Sequence, residues 1–211
     1  MSTDAITLVL PPDLCYLGGV NTTDQPNLVI VAGPNGSGKS TVAEFLLANR
    51  SIDHYINADV IAKGMAVSGR EGSDISAGRV LLQLVDEILS RRRSLAFEST
   101  MSGGNWQSVI ARAKKLGYEV TICFVAVDSP DRAVERVQQR VREGGHNIPE
   151  ATVRRRYERS LSMFFTTYRH LVQFWYFFDN SGVAAQLVAT REGMRDEQIL
   201  LPKEWGGYER R

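Results

Sequence analysis

Along the chain, apolar residues first form a sustained pattern where Leu28, Val29, Ile30, Val31 and Ala32 run without a break. An unbroken, largely β-branched run of this kind predicts a strand buried on both faces of a parallel sheet, because a strand with one wet face would alternate. A turn over 33–38 follows, and then a helix through 41–48. Tyr55 and Ile56 make a second short strand, which stops near Asn57, Ala58 and Asp59. Ala77, Leu81, Leu84, Val85, Ile88 and Leu89 recur at helical spacing, and Arg91, Arg92 and Arg93 sit where cations suit a helix C-terminus. Residues 94–97 form a third strand closing on Glu98, Ser99 and Thr100. A helix over 105–116 ends at Gly117, and 120–127 is the longest strand candidate. The next helix, 132–142, is broken by Gly144 and Gly145. Val153, Tyr157, Leu161, Phe164 and Tyr168 mark a long helix, before a strand over 172–178 that ends on Asp179, Asn180 and Ser181. A last short strand covers 186–189.

Strands alternating with helices imply an α/β fold with a mostly parallel sheet of about five strands. Residues 1–26 read as a leader segment broken by Pro11, Pro12, Gly18 and Gly19, with 6–10 as a candidate edge strand. Residues 27–190 carry the domain, with a small helical lid inside it, and 191–211 read as a polar tail.

The 211 residues, 43% of them hydrophobic, are enough to bury a core. Twenty-five basic against 24 acidic residues leave a net charge of +1, which argues against a dedicated polyanion binder. Cys15 and Cys123 are too far apart in the chain for a metal or redox motif, and a reducing compartment is the easier reading. No stretch approaches the roughly 20 apolar residues that span a bilayer, and the N-terminus lacks the features of a signal peptide. The expectation is a cytoplasmic protein without a membrane partner.

Gly33, Pro34, Asn35, Gly36, Ser37, Gly38, Lys39 and Ser40 match G-x-x-x-x-G-K-[ST], with a buried strand before and a helix after. Glycines let successive backbone N–H groups turn inward toward phosphate oxygens, and the helix adds the positive end of its dipole. Lys39 is expected to reach the β- and γ-phosphates, and the Ser40 hydroxyl to ligate Mg²⁺. No Asn-Lys-x-Asp motif follows, which argues against guanine specificity. Met101, Ser102, Gly103, Gly104 and Asn105 imitate an ABC signature, but Ser129 stands where a carboxylate would activate water beside Asp128.

Asp59 follows Lys39 by 20 positions at the end of a strand, the end that faces the ligand crevice in open α/β sheets. It suits a base accepting a hydroxyl proton, and it equally suits a helix N-cap. Glu98 suits a water of the Mg²⁺ shell or a substrate hydroxyl. Arg132, Arg136, Arg140, Arg142, Arg154, Arg155, Arg156 and Arg159 crowd two helices joined by a loop with a glycine pair, the composition of a lid that closes on a transferring phosphoryl group. Arg156, one residue before Tyr157, borders the buried face, whereas Arg154 should point further out. His146 is a loop residue suited to touching phosphate or ordering that lid. Aromatic residues do not interleave with these arginines as in a stacking platform, so nucleic acid is not the expected partner. Asn180 is expected to approach the adenine.

Taken in order, the phosphate loop with Thr41, the Asn57-Ala58-Asp59 and Ala77-Gly78-Arg79 triplets, Phe97 to Thr100, Gly117-Tyr118, the run from Arg142 through Gly144-Gly145-His146 to Ile148-Pro149, and Arg156-Tyr157 with Arg159-Ser160 resemble the zeta toxin family over residues 27–182. The resemblance is strongest to its small stand-alone bacterial members. It implies a three-layer P-loop fold of the nucleoside and shikimate kinase type, with a lid at about 142–156. It further implies ATP and Mg²⁺ as cofactors and phosphorylation of the amino-sugar 3′-hydroxyl of UDP-N-acetylglucosamine. By the same resemblance Lys39 holds the phosphates and Asp59 is the base. Arg142 and Arg156 steady the transition state, and Arg79, Glu98 and Thr100 line the acceptor site. A protein antitoxin is the partner this family suggests. This chain departs from the larger toxins in its compactness, in Glu98-Ser99-Thr100-Met101, and in the short stretch between Asp59 and Arg79, all on the acceptor side. The alternatives are a nucleotide-binding regulatory ATPase without an acceptor, and a kinase acting on RNA ends.

Overall fold

The structure is a computed structural model, and it describes residues 7–9, 25–47, 52–57, 60–61, 74–145 and 147–210. The central strand β2 (Asn27–Ala32) is buried along its whole length. Leu28, Ile30 and Ala32 enter one hydrophobic cluster while Val29 and Val31 enter the other. That division explains why the sequence shows a continuous apolar run there rather than alternation.

Around β2 stand β3 (His54–Ile56), β4 (Leu95–Ser99), β5 (Glu119–Ala126) and β6 (Phe174–Asp179), in the order β3-β4-β2-β5-β6 with every pair parallel. This is the expected five-stranded core. The sheet continues beyond it: β7 (Ala184–Glu192) runs antiparallel to β6, β1 (Thr7–Val9) is parallel to β7 at the edge, and β8 (Gln198–Ile199) pairs with β7. The candidate edge strand near the start of the chain therefore does join the sheet.

Helices cover both faces. On one, α1 (Lys39–Leu47) buries Val42 and Ala43 against Val29, Val31 and Val125. On the other lie α2 (Asp74–Ser90), α3 (Asn105–Lys115), α4 (Pro130–Arg142) and α5 (Glu150–Met163). Leu81, Val85 and Leu89 give α2 its buried stripe, as Val153, Tyr157 and Leu161 do for α5. A π-helical turn, Phe164–Tyr168, extends α5, and Thr166 Oγ1 donates to the Ser162 carbonyl at 2.7 Å within it.

The segment read as a polar tail is not one. It completes β7, forms β8 and ends in α6 (Pro202–Glu209), whose Trp205 and Tyr208 are buried. Trp205 stacks on Trp175 with centroids 5.7 Å apart and planes 4° apart, and meets Phe177 edge-on at 5.5 Å. The Arg169 guanidinium lies over both Phe165 and Trp205 and pairs with Glu209 at 3.3 Å. Leu201, Trp205 and Tyr208 stand at helical spacing, but a row of three beside a polar run is too short to mark a packed helix in the pattern. Trp205→Ala is expected to lower unfolding free energy by about 3–5 kcal/mol in a urea titration, since it vacates a sealed aromatic site. A loss within experimental error would mean that α6 contributes nothing to the core.

Among the described residues, no helix is long and apolar enough to cross a membrane.

Candidate active site

The loop between β2 and α1 owes its shape to two glycines in particular. Gly33 has φ 138° and a Cβ there would collide with the Val125 carbonyl oxygen, while Gly38 has φ 85° and a Cβ there would strike Asn180 Nδ2. Asn180 is 1% exposed and donates through Nδ2 to the Ser37 carbonyl at 2.9 Å, while its own backbone N–H donates to Ala126 at 2.8 Å. It therefore braces the loop from the end of β6, with an amide N–H committed there. Beside the expected approach to an adenine, Asn180 thus has a supporting role, which follows from the close approach that Gly38 permits.

Lys39 opens α1 and donates from Nζ to the Pro34 carbonyl at 2.8 Å, so the ammonium arches back over the loop. Asn35 is buried, whereas Ser40 and Thr41 stand exposed in the first turn of α1. The N-terminal end of the α1 dipole and the arching lysine put positive charge at one place, an arrangement suited to an anion.

Beside it lies a carboxylate held from both sides. Glu98, on β4 next to β2, is 6% exposed. Its Oε2 accepts from the Ser40 hydroxyl at 3.0 Å, and its Oε1 accepts from Asn57 Nδ2 at 2.9 Å and from the Tyr55 hydroxyl. Burial first, and then Glu98 itself, push the Tyr55 phenol well above its ordinary pKa, so it stays a protonated donor. Ser40 and Glu98 are hard oxygen donors, the kind Mg²⁺ takes from protein when phosphates and water supply its other ligands. Among the described residues no group of three or more His, Cys, Asp or Glu could hold a metal by itself.

The arginines separate by rotation around their helices. Arg156 is half-buried and donates to Asn35 Oδ1 at 3.3 Å, which brings α5 to the phosphate loop. Arg154 turns outward to Asp131 at 2.7 Å and Glu150 at 2.8 Å. Arg142 is exposed and folds back onto Gln139, with hydrogen bonds of 3.1 and 2.6 Å, so the structure does not bring it to the loop as it does Arg156. Arg132 grips Asp128 with two bonds of 2.7 and 2.9 Å, and Ser129 caps α4. The strand-end carboxylate of the imitated ABC pattern is thus already engaged. Arg136 is partly buried, within the field of the Asp128 and Asp179 carboxylates. Burial and then the charge of Arg132 draw its pKa down. At the ends of β5 and β6, Asp128, Asp179, Lys203, Glu204, Gly207 and Tyr208 line a pocket of about 180 Å³.

The stretch after Glu98 is clamped. The Ser160 hydroxyl of α5 donates to the Thr100 carbonyl at 2.6 Å, and the Tyr168 hydroxyl to the Gly103 carbonyl. Trp106 Nε1 and the backbone N–H of Met101 both donate to Ser99 Oγ, at 2.7 and 3.1 Å. Met101 sits there at φ 47° although it carries a side chain. Thr100 Oγ1 lies 3.0 Å from Ser102 Oγ, and Arg79 is exposed on α2. Asp59 and His146 lie outside the described residues. Sequence reasoning named Asn57, Tyr55 and Ser160 but gave them no role. The available signal for the first two was the period-2 spacing of Tyr55 and Asn57, which puts both on one face of their strand.

Comparison with known proteins adds the following. A family model described as "AAA domain" matches residues 28–161. An uncharacterized protein of Haemophilus influenzae is 30% identical over 133 residues, which are 63% of this chain and 94% of that one. Among solved structures, the AvrRxo1-ORF1:-ORF2 complex with ATP aligns with a TM-score of 0.69 at 16% identity, over 88% of this chain and 64% of that one. The chain thus spans less than two thirds of that relative. The PezAT chromosomal toxin-antitoxin system of Streptococcus pneumoniae aligns with a TM-score of 0.55 at 15% identity, over 82% of this chain and 76% of that one. At such identities these two likenesses establish the α/β P-loop fold.

Proposed function

The chain belongs to the AAA domain family, and from that premise we propose that it transfers the γ-phosphate of ATP to a hydroxyl group of a small molecule. The observation that carries this reading is the Ser40–Glu98 hydrogen bond of 3.0 Å at the mouth of the phosphate loop, which sets two oxygens suited to a metal ion beside Lys39. The AvrRxo1-ORF1:-ORF2 structure, solved with ATP, is consistent with ATP as the donor.

In this reading the loop N–H groups and Lys39 hold the phosphates. Mg²⁺, when bound, neutralises charge on the β- and γ-phosphates. Ser40 and Glu98 are the residues that would hold it, which assigns Glu98 to the metal rather than to the acceptor. Asp59 takes the proton of the acceptor hydroxyl as its oxygen bonds to the γ-phosphorus and the bond to the ADP oxygen breaks. Arg156, next to Asn35, stabilises the charge on the transferring group, and Arg142 joins it only if the 142–156 segment closes. Arg79 and the clamped stretch at Thr100 form the acceptor side.

UDP-N-acetylglucosamine is the first acceptor to test, and a protein antitoxin is the corresponding partner, in keeping with the toxin-antitoxin naming of the PezAT relative. With labelled ATP and Mg²⁺, a phosphorylated sugar nucleotide is the expected product. Label released only as inorganic phosphate, at a rate that no hydroxyl acceptor raises, would favour a regulatory ATPase instead.

A further inference from the structure

We propose that Tyr55 and Asn57 are positioning residues that saturate one oxygen of Glu98, so that only the oxygen beside Ser40 stays open to the metal that arrives with the nucleotide. The inference rests on the ATP–Mg²⁺ reading of this site and adds to it the device that aims the carboxylate.

A carboxylate offers about four lone-pair positions, two on each oxygen. Oε1 of Glu98 accepts two donors, the Tyr55 hydroxyl and Asn57 Nδ2 at 2.9 Å. Oε2 accepts one, Ser40 Oγ at 3.0 Å. Among the described residues one position therefore remains, and it is on the Ser40 side. An unbraced carboxylate would turn about its terminal torsion and present either oxygen, because that torsion is broad. With Oε1 filled, such a turn breaks two hydrogen bonds to a charged, nearly buried group.

The strand register accounts for the arrangement. In β3, Tyr55 is level with Ala96 and Ile56 with Phe97, so the next step brings Asn57 level with Glu98. Tyr55 and Asn57 share a face, and the longer tyrosine reaches diagonally to the same oxygen. Tyr55 is 45% exposed, so its ring contributes little to the core, while its hydroxyl meets Glu98 and Asn57. A large exposed aromatic residue with its hydroxyl on a buried carboxylate is placed for that hydroxyl.

Mn²⁺ serves as the probe, titrated into the protein with a non-hydrolysable ATP analogue while free Mn²⁺ is followed by electron paramagnetic resonance. Tyr55→Phe keeps the ring and removes the hydroxyl. It is expected to weaken Mn²⁺ binding to the protein–analogue complex about tenfold, as loss of a partner to a metal ligand commonly does. Affinity for the analogue in EDTA should not change. In a Glu98→Gln background the same substitution should cost almost nothing further. Unchanged or tighter Mn²⁺ binding in Tyr55→Phe overturns the proposal, and so does an equal loss in the Glu98→Gln background. If the wild-type protein holds Mn²⁺ no better than the analogue does alone, the ATP–Mg²⁺ reading fails first and takes the proposal with it.

Discussion

Lys39→Ala is expected to lower turnover at least about a thousandfold and to weaken ATP binding with it. The ammonium lies 2.8 Å from the Pro34 carbonyl, arched over the loop at the N-terminus of α1. Removing one neutral donor from an oxyanion site commonly costs about 10²–10³ in rate, and a full charge facing two phosphates should cost no less. The effect belongs to the ligand and not to the fold, because Lys39 is in the first turn of α1 and outside both core clusters. A calorimetric ATP titration beside a turnover assay checks this. A variant with wild-type turnover would remove the loop from the mechanism.

Asp59→Ala is expected to have the second large effect, with a different signature. A general base contributes about 10²–10⁴ in rate, so kcat should fall by that factor while ATP affinity holds. The argument is one of position: Asp59 follows by two residues Asn57, whose amide is 2.9 Å from Glu98. If Asp59 were only a helix cap, the substitution would lower thermal stability by an amount near 1 kcal/mol and leave kcat alone. Reading kcat, ATP affinity and melting together separates the two roles.

The parts of the fold legible in the sequence are those buried on both sides. In β2 and β5 the interior positions face packed layers, so the chain spells them as apolar runs, broken in β5 only by Thr121. The C-terminal segment was harder to read because Trp205 and Tyr208 bury themselves, from a helix of only eight residues, against residues earlier in the chain such as Phe177 and Trp175. The phosphate loop is legible because backbone geometry dictates its glycines.

Side-chain direction was harder to read. Arg156 could be placed, since it adjoins Tyr157 on an apolar stripe, and the structure has it at Asn35. Arg142 could not, because the last turn of α4 has no buried face to fix its rotation, and it folds onto Gln139. The position of Glu98 beside the loop follows from strand order, but its partners depend on the register of β3 against β4. Asn180 shows the same limit: a polar residue at a strand end reads as a ligand contact, yet Gly38 lets it approach closely enough to brace the loop.

The most direct test of the central claim is the fate of the γ-phosphate. Wild-type protein and Lys39→Ala are each incubated with γ-labelled ATP, Mg²⁺ and a set of hydroxyl-bearing metabolites that includes sugar nucleotides, and the labelled products are separated. Label on an organic acceptor with the wild type alone is the predicted result. ATP bound by the wild type, with label appearing only as inorganic phosphate whatever acceptor is offered, would contradict it.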